Sequence, residues 1–479
     1  MGLVQCEEGS CQSPTHVLLF PFMAKGHTIP LLHFARLLLL RCNTSVTAIT
    51  TPANRPFVTE SLQNTTASII DLPFPANVPD IPAGVESTDQ LPSMSLIHKF
   101  ASATVHMQPR FERMLETLPS VSFLVSDGFL WWTLHSASKF GIPRLVFYGM
   151  SSYAGAVCRE GFIAGIFNGP QPDDESIKLN RFPWIRVCKN DFEPEFRNPD
   201  PKSLSFEFHS NVFSSTAKSF GMVVNSFYEL EPEFVDYVKE SDHKPYYCVG
   251  PFCQAGEPRN NKLSVEFRKP TWMEWVDKKL QVLYVAFGSQ AEISREQLNE
   301  IAIGLEESEV EFMWVIRKKE WELPEGFEER VGERGIIVRE WVDQREILNH
   351  QSVKGFLSHC GWNSVLEGIC GGVPILAWPM MAEQHLNAKM VEEEIKVGLR
   401  VDTCHGSMRG LVKAEGVRRM VRELMEGEKG REARKKVAEL AEMAKKAVAE
   451  GGSSWRALDS LLVEACRKTE SSEAGTKGV

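Results

Sequence analysis

The stretch from residue 353 to residue 379 restricts the folds open to this chain more than any other part of the sequence. VKGFLSH (353–359) is an apolar run typical of a buried strand, CGWNS is a turn, and VLEGIC predicts a helix that ends at Gly371. VPILAWP (373–379) then returns as a second buried strand. This succession of strand, turn, helix and strand predicts one unit of a parallel α/β sheet.

Apolar runs of the same kind recur along both halves of the chain. In the first half they are HVLLFPF (16–22), SVTAITT (45–51), SIIDLPF (68–74), SFLVSDGF (122–129), RLVFYG (144–149), GMVVNSF (221–227) and YYCVG (246–250). In the second half VLYVAFGS (282–289), EFMWVIR (311–317) and GIIVREW (335–341) precede the two strands described above. Helical or loop segments separate these runs, which predicts two doubly wound sheets.

The composition is that of a globular chain with a large core, and its charge excludes some partners. Of 479 residues, 43% are hydrophobic and 24% are charged, and the formal net charge is -10. No basic stripe is present for a nucleic-acid partner, and no apolar run approaches the roughly eighteen residues of a membrane span. The N-terminal residues lack the pattern of a signal peptide, so we expect a cytoplasmic protein.

The cysteines and two missing motifs bear on cofactors. The 11 cysteines are scattered without a repeated CxxC pair, which favours reduced thiols over disulfides or a zinc site. A GxGxxG motif does not follow the first strand, which argues against a dinucleotide oxidoreductase, and a DxD metal motif is also missing. We therefore predict no metal, no cofactor and no disulfide.

Polar residues surround the turn that follows residue 358. His359 ends the strand, and Asn363 and Ser364 stand where the N-cap of the next helix is predicted. The free amides of a helix N-terminus attract anions, so a diphosphate would suit this turn. Glu367, one helical turn further on, can accept hydrogen bonds from two ribose hydroxyls.

Further candidate ligand contacts lie on either side of this turn. Glu383 and Gln384 follow the next strand at its carboxyl end, where they offer acceptors and an amide to sugar hydroxyls. Trp341 precedes a helix predicted to be capped by Asp343, and its ring is free to stack on a base. In the strand over 282–289, Gly288 and Ser289 predict another tight turn suited to a phosphate.

A possible acid–base pair falls in the first half. His27 follows the first strand, in a loop before a helix that Thr28 is predicted to cap. Asp127 ends the run FLVSDGFLWW, which is so apolar that the carboxylate must have a partner. The most economical partner is His27.

The stretch from Trp341 to Gln384 resembles, over its whole length, the signature box of plant family-1 UDP-glycosyltransferases, and the resemblance of the chain extends from about residue 15 to 466. It implies the GT-B architecture, an α/β fold with two Rossmann-like domains facing a cleft. We expect an acceptor-binding domain over 1–252, a linker over 253–266, a UDP-sugar-binding domain over 267–452, a helix over 453–466 that packs back on the first domain, and a disordered tail over 467–479.

The resemblance also implies roles for the residues of the box. Trp341 stacks on uracil, the backbone of Val342 pairs with it, Gln344 and Glu367 take the ribose, His359, Asn363 and Ser364 take the diphosphate, and Trp362, Glu383 and Gln384 hold the donor sugar. Two departures are present. Val342 and Asp343 replace the usual Ala-Pro, and Gly149 stands where many relatives have a Thr that contacts the 6-hydroxyl of the sugar.

We therefore predict an inverting, metal-independent transfer of glucose from UDP-glucose to a hydroxyl of a small lipophilic acceptor, a flavonoid or other phenolic, by a monomeric enzyme. An acceptor hydroxyl needs a base as it attacks, and His27 is that base, with Asp127 orienting the imidazole. The alternatives are a terpenoid or hormone acceptor, a retaining transferase of the same fold, a UDP-sugar-binding protein without catalysis, and a nicotinamide oxidoreductase.

Overall fold

The computed structural model describes residues 15–41, 43–197, 199–255, 269–316, 321–401 and 410–476. The strands, numbered in chain order, are β1 (Thr15–Phe20), β2 (Thr44–Thr50), β3 (Ser68–Asp71), β4 (Phe123–Asp127), β5 (Arg144–Tyr148), β6 (Ile177–Lys178), β7 (Arg186–Val187), β8 (Gly221–Val224), β9 (Tyr246–Cys248), β10 (Val282–Ala286), β11 (Glu311–Val315), β12 (Gly335–Val338), β13 (Val353–Ser358), β14 (Ile375–Ala377) and β15 (Gly398–Arg400).

The helices pack against these strands and connect them. They are α1 (Lys25–Leu39), α2 (Arg55–Ser61), α3 (Ile97–Ala103), α4 (Gln108–Thr117), α5 (Thr133–Lys139), α6 (Ser152–Ile163), α7 (Leu204–Lys218), α8 (Pro232–Asp242), α9 (Thr271–Asp277), α10 (Arg295–Ser308), α11 (Phe327–Val331), α12 (Gln344–Leu348), α13 (Trp362–Cys370), α14 (Gln384–Lys389), α15 (Ala414–Glu426), α16 (Glu428–Val448) and α17 (Ser453–Thr476). A π-helical turn, Met390–Glu394, follows α14.

The first sheet explains why residues from distant parts of the sequence meet at one edge. Within the described residues its strand order is β3-β2-β1-β4-β5-β8-β9, and every neighbouring pair is parallel. Strand β1 pairs with β2 on one side and with β4 on the other, so the connections leave its carboxyl end in opposite directions. A crevice opens at such a switch point, and ligands bind there in open α/β sheets.

The second sheet repeats the arrangement. Its order over the described residues is β12-β11-β10-β13-β14-β15, again with all neighbours parallel. Its switch point lies between β10 and β13, which precede the turns at Gly288 and His359. The two parallel sheets confirm the predicted α/β fold with two Rossmann-like halves. The hairpin of β6 and β7 and the edge strand β15 were not predicted, because each has only two or three residues.

Helix α17 returns to the first domain. Its side chains Leu458, Leu461 and Ala465 are buried in a cluster that includes residues of β1, β2 and β9. The Tyr247 hydroxyl donates to Glu464 at 2.8 Å, which fixes the helix against β9. The predicted crossing of a C-terminal helix is thus present in the structure.

Two expected boundaries differ from the structure or lie outside it. Helix α17 continues to Thr476, so the predicted end at residue 466 and the predicted disorder over residues 467–476 are wrong. The sequence there has no proline, and its first glycine is Gly475, so nothing interrupts the helix earlier. Residues 477–479, and the expected linker beyond residue 255, lie outside the described residues.

Two helices begin earlier than predicted, and both carry site residues. Helix α1 begins at Lys25 after the N-cap Ala24, and the Thr28 hydroxyl donates to the Phe22 carbonyl at 3.0 Å instead of capping the helix. His27 therefore lies in the first turn of α1. Helix α13 begins at Trp362 after the N-cap Gly361.

Asn363 and Ser364 consequently lie in the first turn of α13, one and two residues beyond its start, and neither is the predicted N-cap. The cap predicted at Asp343 is confirmed, and Ser294 caps α10 in the same way. Their side chains accept hydrogen bonds from the backbone N–H groups of Arg345 and Gln297.

Seven cysteines lie in the described ranges, and none of these seven forms a disulfide. In the part of the chain that the structure describes, no helix is long and apolar enough to cross a bilayer.

The packing of α17 predicts a stability effect. Leu461 has 0% of its surface exposed, so Leu461→Ala should leave a cavity and lower the free energy of unfolding by about 2 to 5 kcal/mol. Ser460→Ala, at an exposed position one residue earlier, should change the free energy by no more than about 0.5 kcal/mol. Urea unfolding followed by circular dichroism measures both. Equal stability of the two variants would show that α17 adds nothing to the core of the first domain.

Candidate active site

The switch point of the first sheet brings His27 and Asp127 together. The two residues are 100 positions apart, and His27 Nδ1 lies 2.6 Å from Asp127 Oδ2. Asp127 is fully buried, and its second oxygen accepts from the backbone N–H of Phe129 at 2.9 Å. The His27 side chain keeps 23% of its surface exposed, so the ring remains accessible. The predicted pairing of these residues is therefore present in the structure.

The electrostatic environment of His27 favours its protonated form. Burial alone would lower the pKa of the imidazole, but the charge and hydrogen bond of Asp127, together with the charge of Glu383, raise the pKa above its ordinary value. A base with a raised pKa takes a proton more readily. Glu383 belongs to the second domain, so the two domains jointly set the basicity of His27.

The turn at His359 is built for close approach. A Cβ atom added at Gly288 would lie 2.9 Å from His359 Nε2, and one added at Gly361 would lie 2.7 Å from the same atom. Gly288 also has a φ of +76°, a conformation that favours glycine. Burial lowers the pKa of His359 to about 4, so the ring is neutral at pH 7 and can donate through one nitrogen. Ser289 follows Gly288 and is half-buried.

A second cluster of site residues forms around Gln344. Its amide nitrogen donates to Glu367 at 2.6 Å and to the Ser364 hydroxyl at 2.9 Å, and its oxygen accepts from Tyr284 at 3.3 Å. Burial raises the pKa of Glu367 to about 7, while the Gln344 hydrogen bond opposes the shift. Gln344 and Glu367, both predicted to take the ribose, are therefore in direct contact.

Trp341 and Val342 differ in exposure as their predicted roles require. Trp341 has 56% of its surface exposed, which leaves a ring face open for stacking. Val342 is 3% exposed, so its side chain is part of the core and its backbone is what it can offer to a ligand.

Glu383 and Gln384 present complementary groups. The Gln384 side-chain oxygen accepts from the backbone N–H groups of Met380 and Met381 at 3.0 and 3.1 Å. Gln384 can therefore offer its side-chain nitrogen to a sugar hydroxyl, and its predicted contact with the donor stays a prediction. Glu383 is held by Asn387, whose amide donates to it at 3.2 Å. Burial raises the pKa of the Glu383 carboxyl, against the opposing charge of His27.

The indole of Trp362 is buried between the two domains, and the predicted role of this residue in holding the donor sugar stays a prediction. The side chain is 1% exposed, and Nε1 donates to the Asn225 carbonyl of the first domain at 2.7 Å. Trp362 thus joins the two domains, and its backbone is what remains for a sugar. Asn363 also bridges the domains, because Nδ2 donates to the Gly26 carbonyl at 2.6 Å.

A cavity lies between the domains beside these contacts. Its lining residues come from both halves of the chain and are Ile29, Pro30, His33, Asn225, Cys253, Asn363, Leu366 and Glu367. Gly149 lies next to the same region, since a Cβ atom added there would be 3.2 Å from the Gly26 carbonyl oxygen. Over the described ranges, no group of three or more His, Cys, Asp or Glu side chains is arranged to hold a metal ion.

The sequence interpretation missed Asn225 and Asn387. Asn387 donates to the Cys360 carbonyl at 2.9 Å and accepts from the Ser151 hydroxyl at 3.1 Å, so it links the turn after β13 to the first domain. Asn225 follows β8 directly. A polar residue at the carboxyl end of a parallel strand was the available signal for Asn225.

Known proteins share both the sequence and the architecture of this chain. Residues 266–433 match the family model described as UDP-glucoronosyl and UDP-glucosyl transferase. The chain is 53% identical to UDP-glycosyltransferase 90A1 of Arabidopsis thaliana over 473 residues, which cover 96% of this chain and 98% of that protein. It is 35% identical to UDP-glucose flavonoid 3-O-glucosyltransferase 7 of Fragaria ananassa, with 96% and 97% covered.

The fold has a counterpart among solved structures. The structure of Phytolacca americana UGT2, complexed with UDP-2fluoro-glucose and pterostilbene, matches with a TM-score of 0.79 at 30% identity and covers 94% of this chain and 99% of that one. The predicted GT-B fold is thereby confirmed, and a nicotinamide oxidoreductase is excluded. The chain therefore belongs to the plant family-1 UDP-glycosyltransferases, enzymes that transfer a glycosyl group from a UDP-sugar.

Proposed function

We propose that the protein transfers glucose from UDP-glucose to a hydroxyl of a small lipophilic acceptor, a flavonoid or another phenolic, with inversion at the anomeric carbon and without a metal ion. The observation that carries this proposal is the pair of accessible His27 and buried Asp127 beside the first turn of α13. Asn363 of that turn contacts Gly26, the neighbour of His27, at 2.6 Å. The base and the diphosphate-binding turn therefore adjoin each other across the cleft.

The pair can activate an acceptor hydroxyl. His27 Nδ1 is occupied by Asp127, so Nε2 is the nitrogen that takes the proton as the hydroxyl attacks the anomeric carbon. Asp127 holds the ring in the required tautomer and stabilises the imidazolium that forms. Attack from the side opposite the leaving UDP converts an α-linked donor into a β-glucoside.

The first turn of α13 can stabilise the leaving diphosphate without a metal. Its backbone N–H groups point out of a helix of nine residues. Neutral His359 adds one donor, and the side chains of Asn363 and Ser364 add others. These fixed dipoles favour negative charge where it develops as the glycosidic bond to UDP breaks.

Aromatic side chains next to His27 support a flat, lipophilic acceptor. The ring centroids of Phe22 and Phe129 lie 5.7 and 5.3 Å from that of His27. Phe22 is fully buried behind the His27 ring, whereas half-buried Phe129 offers apolar area and a stacking face to a phenolic molecule. The Fragaria ananassa relative is named for UDP-glucose and for 3-O-glucosyl transfer to flavonoids, which agrees with this donor and acceptor class.

A terpenoid or hormone is the second candidate acceptor. The cytoplasmic localisation and the monomeric state stay predictions.

We expect His27→Ala to lower the rate of transfer about a hundred- to ten-thousand-fold, because the acceptor proton loses its base. UDP affinity should stay at the parent level, since the predicted nucleotide contacts belong to the second domain. Steady-state kinetics with a phenolic acceptor and calorimetry with UDP measure the two effects. His106→Ala, at an exposed position, is the matched control and should behave like the parent. Parent-like turnover of His27→Ala would overturn the mechanism.

The raised pKa of His27 predicts the acid limb of the pH–rate profile. Neutral His27 is the active form, so activity should rise with pH through a midpoint above the ordinary histidine value. Asp127→Asn removes the negative charge that raises this pKa, so the midpoint should move to lower pH while the maximal rate falls about a hundred-fold or more. kcat/KM measured across pH 5 to about 9 tests both effects. An unmoved acid limb would show that Asp127 does not set the basicity of His27.

The donor preference follows from one carboxylate and one amide donor at the end of the box. Glu383 can accept from one sugar hydroxyl, and the Gln384 nitrogen can donate to its neighbour, because the Gln384 oxygen is engaged. Inverting one hydroxyl leaves a buried group unpaired, so UDP-glucose should exceed UDP-galactose by roughly ten- to a hundred-fold in kcat/KM. Competition of the two donors against one phenolic acceptor measures the ratio.

The same assay tests the other parts of the donor proposal. UDP-xylose lacks the 6-hydroxyl group and should be discriminated against only weakly, because Gly149 offers no side chain there. UDP-glucuronate should be poor, since its carboxylate is at the same carbon and needs a cationic partner, which Gly149 cannot supply. EDTA should leave the rate unchanged. A preference for UDP-galactose, or a loss of activity in EDTA that magnesium or manganese restores, would contradict the proposal.

A further inference from the structure

Asn225 connects three parts of the molecule that lie far apart in the sequence. It follows β8 in the first domain and is 3% exposed. Its side-chain oxygen accepts from the backbone N–H of Phe252 at 2.7 Å, where the chain leaves the first domain. Its side-chain nitrogen donates to Asn363 Oδ1 at 3.2 Å, and its carbonyl accepts from the Trp362 indole.

Three hydrogen bonds form a relay, a chain that runs in one direction from the Phe252 N–H to the Gly26 carbonyl. The Phe252 N–H donates to Asn225, the Asn225 amide donates to Asn363, and the Asn363 amide donates to the Gly26 carbonyl. The first donor is a backbone N–H and the last acceptor is a backbone carbonyl, so neither end can reverse. Consequently the relay fixes which side of each asparagine amide carries the nitrogen.

We infer that Asn225 is a positioning residue that sets the amide orientation of Asn363, so that Asn363 presents its N–H₂ group to the diphosphate of the donor. This inference rests on the proposed role of the α13 turn. One hydrogen of Asn363 Nδ2 is used by Gly26, and the second is available to a phosphate oxygen. A reversed amide would present its oxygen to the phosphate and would repel it.

The backbone around Asn225 is shaped to accept this amide. A Cβ atom added at Gly250 would lie 2.6 Å from Asn225 Oδ1, so glycine is required for the side chain to reach Phe252. The Gly250 carbonyl in turn accepts from Ser454 at the start of α17. Within the described residues, two points at which the chain passes between the domains, residues 250–252 and Ser454, therefore lie near Asn225.

The substitution Asn225→Asp tests the relay with little change in shape. The carboxylate keeps the acceptor for the Phe252 N–H and keeps the backbone carbonyl for Trp362, but it cannot donate to Asn363. The Asn363 amide then faces an oxygen at both ends: it either keeps its bond to the Gly26 carbonyl with its oxygen against the new carboxylate, or reverses and turns its oxygen toward Gly26. In both cases its N–H₂ group is no longer held in place for the phosphate. UDP affinity measured by calorimetry should fall about ten- to a hundred-fold, as expected for a lost hydrogen bond to a charged group. KM for UDP-glucose should rise by a similar factor, while KM for the acceptor stays within about two-fold.

A double-mutant cycle separates positioning from an effect of the added charge or from general damage. In the Asn363→Ala background the amide is gone, so Asn225→Asp should change UDP affinity by less than about three-fold. An equally large loss in that background would overturn the inference, because the effect would then not pass through Asn363. UDP affinity of Asn225→Asp equal to that of the parent would also overturn it.

A second variant keeps the inference testable if Asn225→Asp does not fold. Asn363→Asp retains an acceptor for the Asn225 amide but carries no donor for the phosphate, so it should also lose UDP affinity about ten- to a hundred-fold. Retained affinity in Asn363→Asp would contradict the inference. Absence of UDP binding to the parent protein would instead disprove the proposed function, so the two failures are distinguishable.

Discussion

The buried carboxylate of Asp127 is the constraint on which the rest of the active site depends. A charge with no exposed surface must be compensated, and here the compensation comes from His27 at 2.6 Å and from the backbone N–H of Phe129. Arg144, itself buried, donates to the Asp127 carbonyl at 3.2 Å and to the Ser126 hydroxyl at 2.7 Å, and so holds the end of β4 in place. These contacts hold the His27 ring from the protein interior through Nδ1. Nε2 is the nitrogen that Asp127 does not occupy.

Each sheet supplies one half of the site because each has one switch point. The crevice of the first sheet holds the base, and the crevice of the second holds the turns at Gly288 and His359. The hydrogen bonds of Asn363 and Trp362 join the two carboxyl edges, and the charge of Glu383 reaches His27 from the opposite domain. The transfer reaction needs a base and a leaving-group site on opposite sides of one carbon, and two facing crevices provide that geometry.

The sequence predicted the parts of this site that depend on local pattern, and it did not predict those that depend on how the domains meet. The apolar runs predicted the strands of both sheets. Because Asp127 lies in one of these runs, its carboxylate required a partner, and His27 was the predicted one. The burial of the Trp362 indole could not be predicted, because its acceptor is a backbone carbonyl 137 residues away. Asn225 carried a signal, because it is polar and follows a parallel strand, but its partner Asn363 in the other domain could not be read from local pattern. The helix starts at Lys25 and Trp362 were placed too late because Ala24 and Gly361 lack a capping side chain.

The residues predicted to hold the diphosphate carry no permanent positive charge. His359 is neutral at pH 7 because burial lowers its pKa to about 4, and Asn363 and Ser364 are uncharged. The leaving group would thus be stabilised by oriented dipoles, which are effective only while they point at it. Catalysis would then depend on how these dipoles are oriented. That dependence gives a physical reason for holding the Asn363 amide with the relay from Asn225.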